Sequence, residues 1–289
     1  MKRIAILGCE NSHANKFLAE IRDNPAYSDY EVVGVYSIDP EAAKKLADEF
    51  SCPVLENYDS ALGKVDGLIV TARDGKYHYE YAKPYIESGI PMFIDKPITV
   101  SVPDALDFMR ELRAAGCRVC GGSSLCHADE IIALRESVKT EKDGKTMGGI
   151  IRAPLDINSP HSGFFFYAAH LVEMVTSAFG RYPKSVRAYT VDRQRTVIFR
   201  YEDYDVVGVF TNGSYKYFAA RFSEGGSEGG IVEGSPNWFV REFAEFDALM
   251  NGGEQPHSYD EFISSVFVMN AIFESLESGA EVEIKITKV

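Results

Sequence analysis

Short apolar runs alternate with amphipathic stretches through the first part of the chain, and this rhythm predicts strands and helices in turn. Arg3 to Leu7 is apolar and stops at Gly8. The pattern then predicts a helix over Ser12 to Ile21 and a strand over Glu31 to Tyr36. Asp39-Pro40 opens the next helix, with Asp39 as N-cap and Pro40 at the first helical position. Gly67 to Thr71 reads as a strand, and His78 leads a helix that Pro84 should kink or delay. Ile90 to Ile94 is a further buried strand. Ser101 caps a helix that runs to Ala115, and Arg118 to Gly121 is the next strand. Strand and helix in alternation imply a parallel, doubly wound α/β sheet.

The rhythm changes near Gly121-Gly122-Ser123. Helices are predicted over Ala128 to Val138 and Phe165 to Phe179, with a charged loop over Glu141 to Lys145 after the first. Strands are predicted over Ser185–Val191, Thr196–Tyr201, Tyr204–Thr211 and Tyr215–Phe222. Asn212-Gly213 is a hairpin signal between the last two, and Glu202-Asp203 joins another pair. Ser223 to Gly230 is Gly-rich and reads as a mobile loop. Ser235-Pro236 opens a helix to Met250, and Ser258 with Glu261 forms a capping box for a last helix ending at Gly279. Residues 1–122 are thus expected to form one domain and 123–289 a second, α+β domain on antiparallel strands.

The chain has 289 residues, 45% of them hydrophobic and 25% charged, which suits two soluble domains with substantial cores. A net charge of −13 argues against nucleic acid or an acidic membrane face as partner. Met1-Lys2-Arg3 runs straight into the first strand, without a signal-peptide h-region, and the apolar stretch Gly163 to Gly180 is broken by His170 and Glu173. A cytoplasmic protein is expected. Five cysteines fit reduced thiols. Cys117 and Cys120 have redox spacing, but they fall on a strand, where they face opposite sides, instead of opening a helix. No metal site is expected.

Asp95-Lys96-Pro97 closes the strand ending at Ile94. Ligands of open α/β sheets bind outside the carboxyl ends of the strands, so Lys96 sits where a substrate or cofactor would. With His78-Tyr79-Glu80-Tyr81-Ala82 and Glu87-Ser88-Gly89 upstream, the segment resembles the signature of the glucose–fructose oxidoreductase/inositol dehydrogenase (Gfo/Idh/MocA-like) family, with Asp95 in place of that family's glutamate. Gly163 to Glu173 resembles the family's Asp-x-Gly-x-His helix, with His170 as the histidine, Glu173 as the later acid, and Phe166 where the family has Asp. The resemblance implies a Rossmann domain followed by an α+β domain on an open antiparallel sheet that commonly mediates oligomers. A homodimer or homotetramer is therefore expected.

It also implies an NAD(P)-dependent oxidoreductase acting on a sugar, cyclitol or related polyol. Lys96 would hydrogen-bond the reacting oxygen and His170 would take its proton. The family's dinucleotide turn aligns with Gly8-Cys9-Glu10-Asn11-Ser12-His13, in which only the first glycine of G-x-G-x-x-G is kept and Glu10 brings a negative charge. Gly8, Asn11 and Ser12 are the candidate phosphate-turn residues. Ser37 aligns with the ribose-binding acid, which points to NADP, with NAD the other candidate. Thr71 and Arg73 align with the nicotinamide loop, beside Asp95 and Pro97. The alternative reading is a Gfo-like protein that binds a small ligand and has lost redox turnover; Glu10 and Phe166 point that way.

Overall fold

The computed structural model describes residues 1–233 and 237–289. In chain order it holds β1 (Lys2–Leu7), α1 (Ser12–Asp23), β2 (Tyr30–Tyr36), α2 (Pro40–Phe50), β3 (Gly67–Val70), α3 (His78–Ala82), β4 (Met92–Asp95), α4 (Val102–Ala115) and β5 (Val119–Gly122). There follow α5 (Asp129–Lys139), β6 (Thr146–Pro154), α6 (Phe164–Phe179), β7 (Ser185–Val191), β8 (Gln194–Arg200), β9 (Asp205–Thr211), β10 (Tyr217–Ser223), β11 (Gly226–Val232), α7 (Asn237–Met250), α8 (Tyr259–Phe262), α9 (Ser264–Ser278) and β12 (Glu281–Glu283). Two compact units result. One comprises Met1–Gly122, Phe239–Phe262 and Val289; the other comprises Ser123–Trp238 and Ile263–Lys288. Among the described residues no helix is long and apolar enough to cross a membrane.

The first unit is built on a five-stranded parallel sheet in the order β2-β1-β3-β4-β5. Caps follow from the sequence: Asn11 accepts from Ser12 N, Asp39 from Glu41 N and Ala42 N, and Ser101 from Asp104 N. Pro84 falls where α3 gives way to a 3₁₀ segment over Lys83–Ser88. The aromatic core joins α1 and β4, where Phe17 and Phe93 meet edge to face at 4.9 Å, with Phe243 of α7, 5.5 Å from Phe17. The return of the chain at Phe239 is thus fixed by burial: Phe243, Phe246 and Leu249 are wholly inaccessible.

The second unit holds a seven-stranded sheet in the order β11-β10-β6-β9-β8-β7-β12. It is antiparallel except for β6 and β9, which run parallel. The helices α6 and α9 are buried along most of their lengths. The expectation of an α+β domain holds, with three corrections. Thr146–Pro154 is a central strand that the pattern did not signal. Gly149 explains the weak signal: a Cβ there would come within 2.2 Å of the Phe179 ring, so packing of α6 requires a glycine in mid-strand. Second, Asn212-Gly213 does not turn a hairpin, because β6 lies between β9 and β10. Third, the Gly-rich stretch is not a loop; Ser223 pairs with Gly226 and the chain returns as β11. The predicted helix start at Ser235-Pro236 lies outside the described residues.

Arg221 of β10 secures the entry to β6. Its side chain is 1% exposed, and its guanidinium donates to Thr146 Oγ1 at 2.8 Å, Lys142 O at 2.7 Å, Gly144 O at 2.7 Å and Glu228 Oε1 at 3.2 Å. A planar fork with several fixed donors suits this set, whereas a lysine offers a single point charge. Arg221→Lys is therefore expected to lower unfolding stability by about 2 kcal/mol or more, measured by chemical denaturation, although charge is conserved.

Candidate active site

The carboxyl ends of β1, β2, β3 and β4 gather nine of the ten candidate residues in the first unit: Gly8, Asn11, Ser12, Ser37, Thr71, Arg73, Asp95, Lys96 and Pro97. The tenth, His170, belongs to the second unit. After β1 the chain turns at Gly8, whose φ is +80° and whose Cβ, if present, would lie 2.2 Å from Ala72 Cα. Only glycine fits. Gly8 N and Cys9 N donate to Tyr36 O, while Thr71 Oγ1 donates to Gly8 O at 3.1 Å. The turn leads into α1 through Asn11.

Glu10 lies across the end of β1. Its Oε2 accepts from Ser37 Oγ at 2.6 Å, and its Oε1 accepts from Arg73 N at 2.9 Å. The Arg73 guanidinium donates back to Glu10 O at 2.8 Å. One carboxylate thus joins the loops after β2 and β3. The turn fits a dinucleotide in its strand–glycine–helix geometry and its place at the strand ends. It departs at the second and third glycine positions, where Glu10 and His13 stand.

His13 fills the third position with a buried ring. Asp95 Oδ2 lies 3.2 Å from Nδ1 and Glu242 Oε2 lies 3.4 Å from Nε2. Neither contact has hydrogen-bond alignment, and each is an ion pair when the ring is protonated and the acid is not. Asp95 itself is fully buried and accepts from Asn11 Nδ2 at 2.8 Å and from Lys96 N at 2.6 Å. Burial disfavours charge on His13, but Asp95 and Glu242 outweigh it and raise the pKa. Burial also pushes the Glu242 carboxyl up to about 7, against the pull of His13. Lys96, 4% exposed, follows directly, and its bond to Pro97 is cis. His78 joins the loops after β3 and β4, with Nδ1 2.8 Å from Pro97 O and Nε2 2.8 Å from Ala72 O. Burial lowers its pKa, and a neutral ring donates to one of those carbonyls.

In the second unit, α6 carries His170 and Glu173 one turn apart. His170 Nδ1 lies 2.7 Å from Ser123 Oγ, and Glu173 Oε2 accepts from Ser123 N at 2.6 Å. Ser123 Oγ also accepts from Leu125 N at 3.3 Å. Phe166 is half-buried with its ring 5.2 Å from His161. A cavity of about 820 Å³ is lined by Arg152, Tyr215, Lys216, Tyr217, Glu233 and Trp238, among others. The ring of Tyr217 is 6.1 Å from that of His170, and Tyr215 is 5.7 Å from Tyr167.

Sequence reasoning passed over His13, Glu242 and Ser123 as functional groups. His13 was findable as the occupant of the third glycine position; Glu242, distant in sequence, gave no signal. The cysteines are free thiols, and no group of metal-ligating side chains occurs among the described residues.

The raised pKa of Glu242 has a testable sign. The folded state keeps a proton that the unfolded chain releases near 4.5, so this contribution is present below that pH and is lost as pH rises through about 7. Relative to Glu242→Gln, the wild type should lose on the order of 1–3 kcal/mol of stability between pH 5 and pH 8. Denaturation curves of both proteins across that range check it; a constant difference would refute it.

Residues 2–123 match the family model described as "Oxidoreductase family, NAD-binding Rossmann fold" (GFO_IDH_MocA). No curated protein matches the chain by sequence. Among solved structures, a myo-inositol dehydrogenase from Corynebacterium glutamicum superposes with a TM-score of 0.82 at 18% identity, covering 99% of this chain and 100% of that one. A scyllo-inositol dehydrogenase from Lactobacillus casei, with bound NAD(H) and scyllo-inositol, gives 0.83 at 13% identity over 98% and 99%. The WlbA dehydrogenase from Chromobacterium violaceum, in complex with NADH and UDP-GlcNAcA, gives 0.80 at 16% over 99% and 97%. The first domain thus matches the Gfo/Idh/MocA family model, and the whole chain shares the fold of these dehydrogenases.

Proposed function

We propose that the protein is an NAD-dependent oxidoreductase acting on a sugar, cyclitol or related polyol in the cytoplasm. The observation that carries this reading is Lys96, a buried cation at the carboxyl end of β4, whose neighbour Asp95 is fixed by Asn11 and by the Lys96 backbone. The likeness to dehydrogenases bound to NAD(H) and polyhydroxylated ligands supports it, as does a cavity combining Tyr215, Tyr217 and Trp238 with Arg152 and Glu233. Aromatic faces and charged hydrogen-bonding groups together suit polyhydroxylated substrates.

Gly8, Asn11 and Ser12 would hold the diphosphate at the start of α1, and Thr71, Arg73 and Pro97 would flank the rest of the nucleotide. When bound, the nicotinamide supplies the hydride acceptor. Lys96 hydrogen-bonds the substrate oxygen and stabilises the charge that develops as its proton leaves. His170 takes that proton at Nε2, which requires Nδ1 to carry the other hydrogen and donate it to Ser123 Oγ. Glu173, by holding Ser123 N, keeps that acceptor in place. Lys96→Ala and His170→Ala should each lower kcat about a hundredfold or more with NAD and a polyol panel. Phe166→Asp separates the two readings of the family. Activity that appears only in this variant would identify the natural protein as a ligand-binding relative; a wild type that is active and weakened by the change keeps Phe166 as part of its own substrate pocket.

We also infer assembly through the open sheet face. By register, Ile150, Val207, Val209 and Ile198 share one face, and all are half-buried. Scattered exposed apolar groups are ordinary, but a contiguous patch marks an interface. A second copy packed there would give a dimer by light scattering, and the double change Val207→Lys/Val209→Lys should yield a monomer. A monomeric wild type would refute this.

A further inference from the structure

We propose that Glu10 selects NAD over NADP, taking from the β1 turn the role that Ser37 leaves open at the end of β2. The inference rests on the NAD-dependent reading above. Ser37 aligns with the ribose-binding position, and its hydroxyl by itself would suit a phosphate. In the structure that hydroxyl is committed. Its single proton goes to Glu10 Oε2 at 2.6 Å, while its oxygen accepts from Asp39 N at 3.0 Å. Ser37 has no second proton for a phosphate oxygen.

What the β2 end presents instead is the Glu10 carboxylate. Each of its oxygens accepts one bond in this structure, from Ser37 and from Arg73 N. A carboxylate has about four acceptor positions, so it retains capacity for the hydroxyls of an unmodified ribose. A 2′-phosphate cannot donate to it and adds like charge. Two unit charges about 4 Å apart repel by roughly 1 kcal/mol in water and by roughly 4 kcal/mol near a protein surface. Arg73 is the nearby cation that would oppose this, and its guanidinium is bonded to Glu10 O at 2.8 Å. The other acid of this loop, Asp39, is engaged as the cap of α2 and adds negative charge on the same side.

Fluorescence titration of the purified protein with NADH and NADPH, without substrate, tests the assignment. The wild type should bind NADH at least tenfold more tightly. Glu10→Gln keeps the size of the side chain and removes the charge, so it should narrow the NADH/NADPH ratio by about tenfold or more, chiefly through tighter NADPH binding. Ser37→Ala, which removes the hydroxyl but leaves the carboxylate, should preserve the preference for NADH. Preference of the wild type for NADPH, or an unchanged ratio in Glu10→Gln, overturns the role of Glu10 while leaving the dehydrogenase reading intact. Binding of neither nucleotide by the wild type overturns the dehydrogenase reading itself, and the selection with it.

Discussion

A carboxylate with no access to water organises the first unit. Asp95 ends β4 at zero exposure, and burying an uncompensated charge costs several kcal/mol. Compensation comes from three directions: the Asn11 amide at the start of α1, the Lys96 backbone, and His13 in the first turn of α1. His13, buried in its turn, is balanced by Glu242, which belongs to a helix reached only after the chain has built most of the other unit. A local requirement at one strand end therefore determines which residue replaces a glycine in the β1 turn and where a distant helix must dock. Lys96 inherits its fixed position from the same constraint.

The second unit has a parallel logic at lower charge density. Its sheet depends on β6 lying between two strands that are adjacent in sequence. That placement needs a glycine under Phe179 and an arginine whose fork closes the loop before the strand. The helix bearing His170 and Glu173 packs on this sheet, and both side chains converge on Ser123, the first residue of the unit.

The sequence was most legible where local chemistry decides structure. The strand–helix alternation, the caps at Asn11, Asp39 and Ser101, and the Asp95-Lys96-Pro97 strand end all follow from residue types at short range; the capping box of Ser258 and Glu261 also forms, but it opens the short α8 and not the last helix, which starts at Ser264. It was least legible where tertiary packing overrides local preference. Gly148-Gly149 conceals β6, because Gly149 makes room for the Phe179 ring and Gly148 for the Asp205 carbonyl. Asn212-Gly213 carries hairpin chemistry, yet β6 takes the place between β9 and β10. At the candidate site, the identities of Gly8 and Lys96 spoke plainly. The meaning of Ser37 did not, because a hydroxyl's partners depend on which acid lies within 2.6 Å. Likewise nothing near residue 13 announces Glu242.

The return of Phe239–Phe262 to the first unit has a bearing on biosynthesis. Domains generally fold as units, from the N-terminus as the chain is made. Here the first sheet leaves the ribosome early without the helix that covers Phe17 and that supplies Glu242 to His13. The nascent first unit must wait, with an aromatic face and a buried-charge site incomplete, until the second unit has largely been translated. Interleaving of this kind makes the two units poor candidates for exchange as separate modules by a single recombination point, since any cut at Gly122 separates Asp95 and His13 from the acid that completes their cluster.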